Sequence, residues 1–129
     1  MKRRRQLGGS ASMVFLAMVL SACTIVGHEK VLGWPRMDVV AHYVPAEEMR
    51  NRCAPYVGYG MLPDACAEFN FAANRCDMWF SADFPPPASV VEHEELHCKG
   101  YDHIGQRTMA EMLSRHLAEA SASTGSTRR

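Results

Sequence analysis

The amino-acid sequence predicts a small α+β domain in which a short β-sheet or hairpin is followed by two helices. Three observations favour this class. The chain has 129 residues, which is enough for one domain at most. Residues 65–84 contain two β-rich runs separated by a short link, as in a hairpin. Helix signals frame residues 90–99, and apolar residues recur at helical spacing in 106–120.

The first 22 residues predict a lipoprotein signal peptide. Basic residues at 2–5 precede an apolar run at 12–20, which is too short to span a bilayer. The sequence Leu-Ser-Ala-Cys at 20–23 resembles the lipobox of bacterial lipoproteins. This resemblance implies that Cys23 is acylated after cleavage and anchors the mature protein to the outer membrane, facing the periplasm. The alternative is a short anchor helix followed by an ordinary cysteine.

Removing the leader changes the charge balance of the chain. The sequence has 14 basic and 14 acidic residues, and the leader holds four of the basic ones and none of the acidic ones. The mature part keeps 10 basic and 14 acidic residues, which is a net charge of −4. Proteins that bind nucleic acid carry basic patches to neutralise phosphate. We therefore expect no nucleic-acid partner.

The segment 23–37 is expected to be a lipidated tether, because it contains glycine and proline and shows little periodicity. His28 within it is expected to be a solvated linker residue. Residues 38–44 form a β-rich run, and His42 in that run is expected to be structural rather than a metal ligand. Residues 45–52 begin with proline and place acids before bases, which favours a short helix.

Four cysteines follow Cys23, and an even number in a small exported domain indicates two disulfides. They are Cys53, Cys66, Cys76 and Cys98. Three pairings are possible, and we favour Cys53 with Cys66 and Cys76 with Cys98. The second bridge would join the strand at 76–84 to the helix that follows it. A second metal site is the alternative, although no C-x-x-C pair is present.

The two β-rich runs span 65–71 and 76–84, with 72–75 as the turn. The even positions of the second run are apolar, so one of its faces should meet a helix. If this second strand is the edge of the sheet, an extended peptide can add to it by main-chain pairing.

Residues 93–103 read H-E-x-x-H-x-x-G-x-x-H. Prolines at 85–87 precede a helix predicted over 90–99, with Ser89 and Glu92 as a capping box. Histidines four residues apart lie on one face of a helix, so His93 and His97 can bind one metal ion. A helix commonly ends at a left-handed glycine. Glycine at position 100 therefore allows the chain to turn back and bring His103 to the same ion.

The chemistry of this pattern is that of a hydrolase. Three neutral imidazoles leave Zn²⁺ one position for water, whose pKa the ion lowers to about 7. Glu94 lies beside the two helical ligands and is placed to act as the general base. Peptide-bond hydrolysis is the reaction this arrangement serves best. Asp102 is expected to stabilise the turn or to support a ligand rather than to bind metal.

The motif is similar to the zinc-binding consensus of the metzincin peptidases at each of its fixed positions, which are His93, Glu94, His97, Gly100 and His103. The ending Gly-Tyr-Asp-His looks like that of the matrix metalloproteases. The resemblance implies a zincin-like domain over 38–120 that holds one Zn²⁺ per chain and cleaves a peptide or protein. After it, residues 106–120 predict an amphipathic helix, and 121–129 predict a disordered tail.

Two other functions are compatible with the three histidines. The signature is also similar to that of the bacterial rRNA-maturation endoribonucleases, which have glycine in place of Glu94 and need a basic RNA surface. The other alternative is a non-catalytic, zinc-stabilised lipoprotein. A fourth protein ligand such as His42, Asp102 or Cys98 would indicate that second alternative.

Overall fold

The structure is a computed structural model that describes residues 27–57, 60 and 62–125, and it confirms the α+β class. The predicted signal peptide and Cys23 lie outside these residues. In chain order the elements are β1 (His28–Lys30), β2 (Asp38–Val44), α1 (Ala46–Cys53), β3 (Ala65–Asn70), β4 (Arg75–Ser81), α2 (Ala88–Cys98), β5 (Tyr101–His103) and α3 (Thr108–Gly125), with a 3-10 turn at Ala54–Tyr56. No helix in the described part of the chain is long and apolar enough to cross a membrane.

The main sheet has three strands in the order β2-β4-β3. The predicted hairpin is confirmed, because β3 pairs antiparallel with β4 from Ala65 opposite Phe80 to Asn70 opposite Arg75. Strand β2 pairs in parallel with the other side of β4. The second hairpin strand is therefore not an edge, and the condition under which it could pair with a peptide is not met. The parallel partner lies before the hairpin in the chain, and β3 is the edge strand beside α2.

The two faces of β4 pack against different helices. Its side chains at Cys76, Met78 and Phe80 form a core with Cys98 at the end of α2. Trp79, which lies between Met78 and Phe80, faces the other side of the sheet. There it packs with Met49 and Cys53 of α1 and with Cys66 of β3. The even positions therefore meet the motif helix, as the alternation predicts.

Two disulfides cross these cores with the pairing that the sequence favoured. One joins Cys53 to Cys66 and the other joins Cys76 to Cys98. The second bridge connects β4 with the last residue of α2. Because every one of these thiols is used, neither a cysteine metal site nor Cys98 as a metal ligand is compatible with this fold.

His42 has the structural role that the sequence predicts. Its ring stacks on Trp79 with centroids 4.0 Å apart, and its Nε2 lies 2.6 Å from Oδ1 of buried Asp77. The second Asp77 oxygen accepts a hydrogen bond of 2.8 Å from Arg75 Nε. His42 therefore stabilises the sheet face opposite α2 and takes no part in the histidine cluster described below.

The segment predicted as a tether, 23–37, belongs to the folded domain from His28 onward. Strand β1 pairs antiparallel with β5, and Val31 and Met37 are buried. Trp34 packs edge-on against Phe69 with ring centroids 4.8 Å apart. A three-residue strand has no periodicity to detect, and its partner lies at the far end of the chain, which is why the prediction failed.

Two predicted helix ends are also wrong. Helix α2 begins at Ala88, directly after Pro87, and no side chain caps it, so the Ser89 capping box is not formed. Helix α3 continues to Gly125, which includes five residues of the predicted disordered tail. The serine and threonine hydroxyls in that last part donate hydrogen bonds to carbonyls one turn earlier, so the polar residues are accommodated within the helix.

Candidate metal centre

Four histidine side chains converge where α2, β5 and β1 meet. They are His28, His93, His97 and His103, and one ring nitrogen of each lies within 4.8 Å of the others. His93 Nε2 is 3.1 Å from the Nε2 atoms of both His97 and His103. Nitrogen ligands of one tetrahedral zinc ion lie about 3.4 Å apart. The three histidines of the motif are therefore close enough together to share one metal ion.

The turn after α2 brings the third histidine of the motif to the other two. Gly100 has a left-handed φ of 87°, and its amide donates to the His97 carbonyl at 2.8 Å. The chain then forms β5, and the Tyr101 carbonyl lies 2.8 Å from His97 Nδ1. His103 Nδ1 lies 3.2 Å from Gln106 Oε1. When Nδ1–H donates to such oxygens, Nε2 is left free for a metal and the ring is held in place.

Asp102 stabilises the turn after α2, which is one of the two roles predicted for it; the other was support of a metal ligand. It is buried, and its Oδ1 accepts a 2.8 Å hydrogen bond from the backbone amide of His103. Its Oδ2 accepts a 3.0 Å bond from the amide of Met109 in the first turn of α3. Both carboxylate oxygens are thus engaged by backbone groups. Asp102 connects the strand that carries His103 to the helix that follows and is not a metal ligand.

His28 is the residue that the sequence analysis missed. It was expected to be solvated, but β1 pairs with β5 in a register that places His28 opposite His103. Its ring centroid lies 4.8 Å from that of His93 and 5.3 Å from that of His103. No local pattern distinguishes this histidine, because the contact depends on pairing between strands at opposite ends of the domain.

Glu94 lies beside the cluster on the wall of a cavity of about 420 Å³ that His93, His97 and His103 also line. The residue is only 7% exposed, and burial raises the pKa of its carboxyl group from 4.5 to about 7. Within the described residues, no side chain or backbone group hydrogen-bonds this carboxylate. The carboxylate and three imidazoles therefore line one cavity.

No protein family, curated protein or solved structure matches the chain. The site is therefore interpreted from its own donor atoms. A larger cavity of about 560 Å³, which β3 and α3 line, contains charged side chains, but among the described residues it holds no cluster of three or more side chains close enough to share a metal ion. Donor chemistry, rather than cavity size, therefore distinguishes the histidine cluster from the other cavity.

His93 and His97 are in the protonation state that binds metal. Burial, followed by repulsion from the neighbouring histidines, lowers the pKa of His93 from 6.5 to about 4. Burial also lowers the pKa of His97, although its hydrogen bond to the Tyr101 carbonyl acts in the opposite direction. Both rings are therefore neutral at pH 7. Neutral imidazole is the form that binds zinc, copper, iron or nickel, so the cluster can hold a metal ion.

Replacing Gly100 with alanine should destabilise the domain by about 1–3 kcal/mol. The left-handed φ disfavours any Cβ, and a Cβ at this position would overlap the Trp34 side chain. Urea denaturation of the metal-free protein would measure the change. Gly105→Ala is the matched control, since Gly105 has a φ of 81° but nothing within 4 Å of a Cβ. Equal losses in the two variants would contradict the close approach of Trp34.

Proposed function

We propose that this protein is a zinc-dependent peptidase in which His93, His97 and His103 hold the metal and Glu94 is the general base. The proposal depends mainly on one observation: the Glu94 carboxylate and the three imidazoles line the same cavity. The motif that carries these residues is similar to that of the metzincins. All-nitrogen ligation by imidazole suits zinc, although copper, nickel and iron accept the same donors.

In the proposed reaction, the metal and the Glu94 carboxylate have different roles. A zinc ion held by the three histidines would supply a Lewis acid and would lower the pKa of water to about 7. Glu94 would accept the proton of the attacking water and then donate it to the leaving amine. Its buried position suits this role, because a carboxyl group with a pKa near neutrality can both accept and release a proton.

A peptide is the substrate class that the cavity wall favours. Ala65, Ala67 and Phe69 of β3 line the cavity together with the histidines. Strand β3 pairs with β4 on one side alone within the described residues, so its other edge offers main-chain donors and acceptors. An extended peptide can bind such an edge by strand addition. The edge strand that serves this purpose is β3, in place of the strand that the sequence indicated.

The proposed acylation of Cys23 would place the reaction close to a membrane. His28 follows Cys23 by five residues, which span at most about 18 Å when fully extended. The histidine cluster would therefore lie within that distance of the acylated cysteine. Under this proposal, the substrates are peptides or proteins of the cell envelope that approach the outer membrane from the periplasm.

A second candidate function is a lipoprotein that zinc stabilises without catalysis. The specific observation in its favour is His28, because a fourth imidazole beside the other three can complete a tetrahedral zinc site. Structural zinc sites are closed in this way, whereas catalytic sites keep a position for water or substrate. The two candidates differ in one measurable respect, which is whether a substrate is turned over.

The test uses the full chain purified in detergent. We expect one zinc ion per chain by metal analysis, and cleavage of members of a peptide library that stops with a chelator and returns when zinc is added back. One zinc ion per chain without cleavage of any peptide would favour the non-catalytic candidate. Absence of any bound metal would contradict both candidates.

A further inference from the structure

The Nε2 atom of His28 has no hydrogen-bond partner, and a metal site made of the three motif histidines alone does not account for its position. This atom is the one side-chain nitrogen or oxygen in the described residues that is wholly inaccessible to solvent and has no hydrogen-bond partner. The rings of the three motif histidines surround it, with centroids 4.8, 5.6 and 5.3 Å away. His28 therefore presents an unpaired nitrogen to the place where the other imidazoles converge.

A polar atom in this position needs a partner, because removing it from water without one is unfavourable. Two of the three neighbouring imidazoles direct Nδ1 at an oxygen. His97 Nδ1 lies beside the Tyr101 carbonyl, and His103 Nδ1 lies beside the Gln106 side chain. When those Nδ1 atoms donate, the Nε2 atoms of His97 and His103 are left as acceptors, and His93 Nε2 lies 3.1 Å from each of them. A cation is the partner that satisfies several converging acceptors at once.

We propose that His28 is a fourth protein ligand of the metal and binds it from the side of the cluster that faces away from the cavity. The three motif histidines line the cavity, and His28 does not. Four imidazoles can then hold the ion while the side toward Glu94 stays accessible to water or substrate. With a water or substrate bound, the metal would have five ligands, a number that catalytic zinc sites reach in the transition state. This proposal concerns metal binding alone and holds whether or not the protein cleaves peptides.

The distances require a small contraction when the metal binds. The four ligand atoms spread over as much as 4.8 Å, whereas two nitrogen ligands of one zinc ion are at most about 4.2 Å apart. The most widely separated pair must therefore approach by about 0.6 Å or more, since 4.2 Å applies only to ligands on opposite sides of the ion. Strand β1 has three residues and pairs with β5, so His28 can move by this amount without disturbing the main sheet.

The fourth ligand also gives the metal a structural effect. His28 belongs to β1, His93 and His97 belong to α2, and His103 belongs to β5. An ion bound by all four would hold the N-terminal strand onto the helix that carries Glu94. Four neutral ligands leave the charge of a divalent ion uncompensated, and the buried carboxylates of Glu94 and Asp102 lie close enough to balance it.

Zinc affinity measured by competition with a chromophoric chelator tests the proposal on the full chain in detergent. His28→Ala should weaken zinc binding on the order of a hundred-fold, which is the share of one ligand in a four-ligand site. His42→Ala is the matched control, because His42 is also half-buried but lies outside the cluster. Its zinc affinity should equal that of the unmodified chain. Unchanged affinity in His28→Ala would overturn the proposal.

X-ray absorption of the zinc-loaded, unmodified protein provides a second measurement that does not depend on how any variant folds. The spectrum should show four imidazole ligands and one further oxygen. Three imidazoles would overturn the proposal, and four imidazoles without the oxygen would overturn the open position toward the cavity. Four imidazoles and an oxygen in a protein that cleaves no peptide would support His28 as a ligand while rejecting the proposed peptidase activity.

Discussion

Glu94→Gln should reduce peptide hydrolysis by about 10²- to 10⁴-fold while one zinc ion per chain stays bound. The amide has nearly the shape of the carboxylate but cannot accept the proton of the attacking water. Glu94 is expected to be the base and not a ligand, so the metal content should not change. Initial cleavage rates of the best library peptide, measured beside metal analysis of the same samples, would provide both quantities.

Two further variants make this result specific. Glu95→Gln is the matched control, because Glu95 follows Glu94 directly but pairs with Lys99 at 3.4 Å on the exposed side of α2. It should keep both activity and zinc. His97→Ala should weaken zinc binding on the order of a hundred-fold, as expected for the loss of one ligand, and should lose activity when zinc is limiting. Full activity in Glu94→Gln would reject Glu94 as the base, and loss of zinc in that variant would mean that the carboxylate is itself a ligand.

Replacing both Cys76 and Cys98 with alanine should lower the free energy of unfolding by about 3 kcal/mol and weaken zinc binding. Both residues are fully buried, and their disulfide spans 22 residues between the central strand and the last residue of α2. Without it the unfolded chain gains freedom, and the end of the helix that carries His97 loses its covalent attachment to the sheet. Urea denaturation and zinc titration would measure the two effects.

The other disulfide is the control for this prediction. The Cys53–Cys66 bridge spans 13 residues and connects α1 with β3, on the opposite face of the sheet from α2. Its removal should cost a similar free energy of unfolding but leave the zinc affinity of the folded protein unchanged. If both double variants lost zinc affinity equally, the effect would be one of global stability and not of the position of α2.

Sequence reasoning succeeded where the relevant signal is local. The hairpin followed from alternation over residues 65–84, and the convergence of His93, His97 and His103 followed from helical spacing and one left-handed glycine. The disulfide pairing also agreed with the structure, because each bridge joins neighbouring elements of a short chain. Local interpretation failed at helix ends, since α2 begins without the expected side-chain cap.

The sequence by itself determined the α+β class, the motif helix and the three histidines that this helix and its turn present. The tertiary structure alone decided that β3, rather than β4, is an edge strand beside α2 and that His28 joins the cluster. Both depend on pairing between distant segments: β2 occupies the far side of β4, and β1 pairs with β5 across almost the whole domain. The periodicity of apolar residues indicates which face of a helix or strand a side chain occupies. It carries no information about which distant strand will pair with that element.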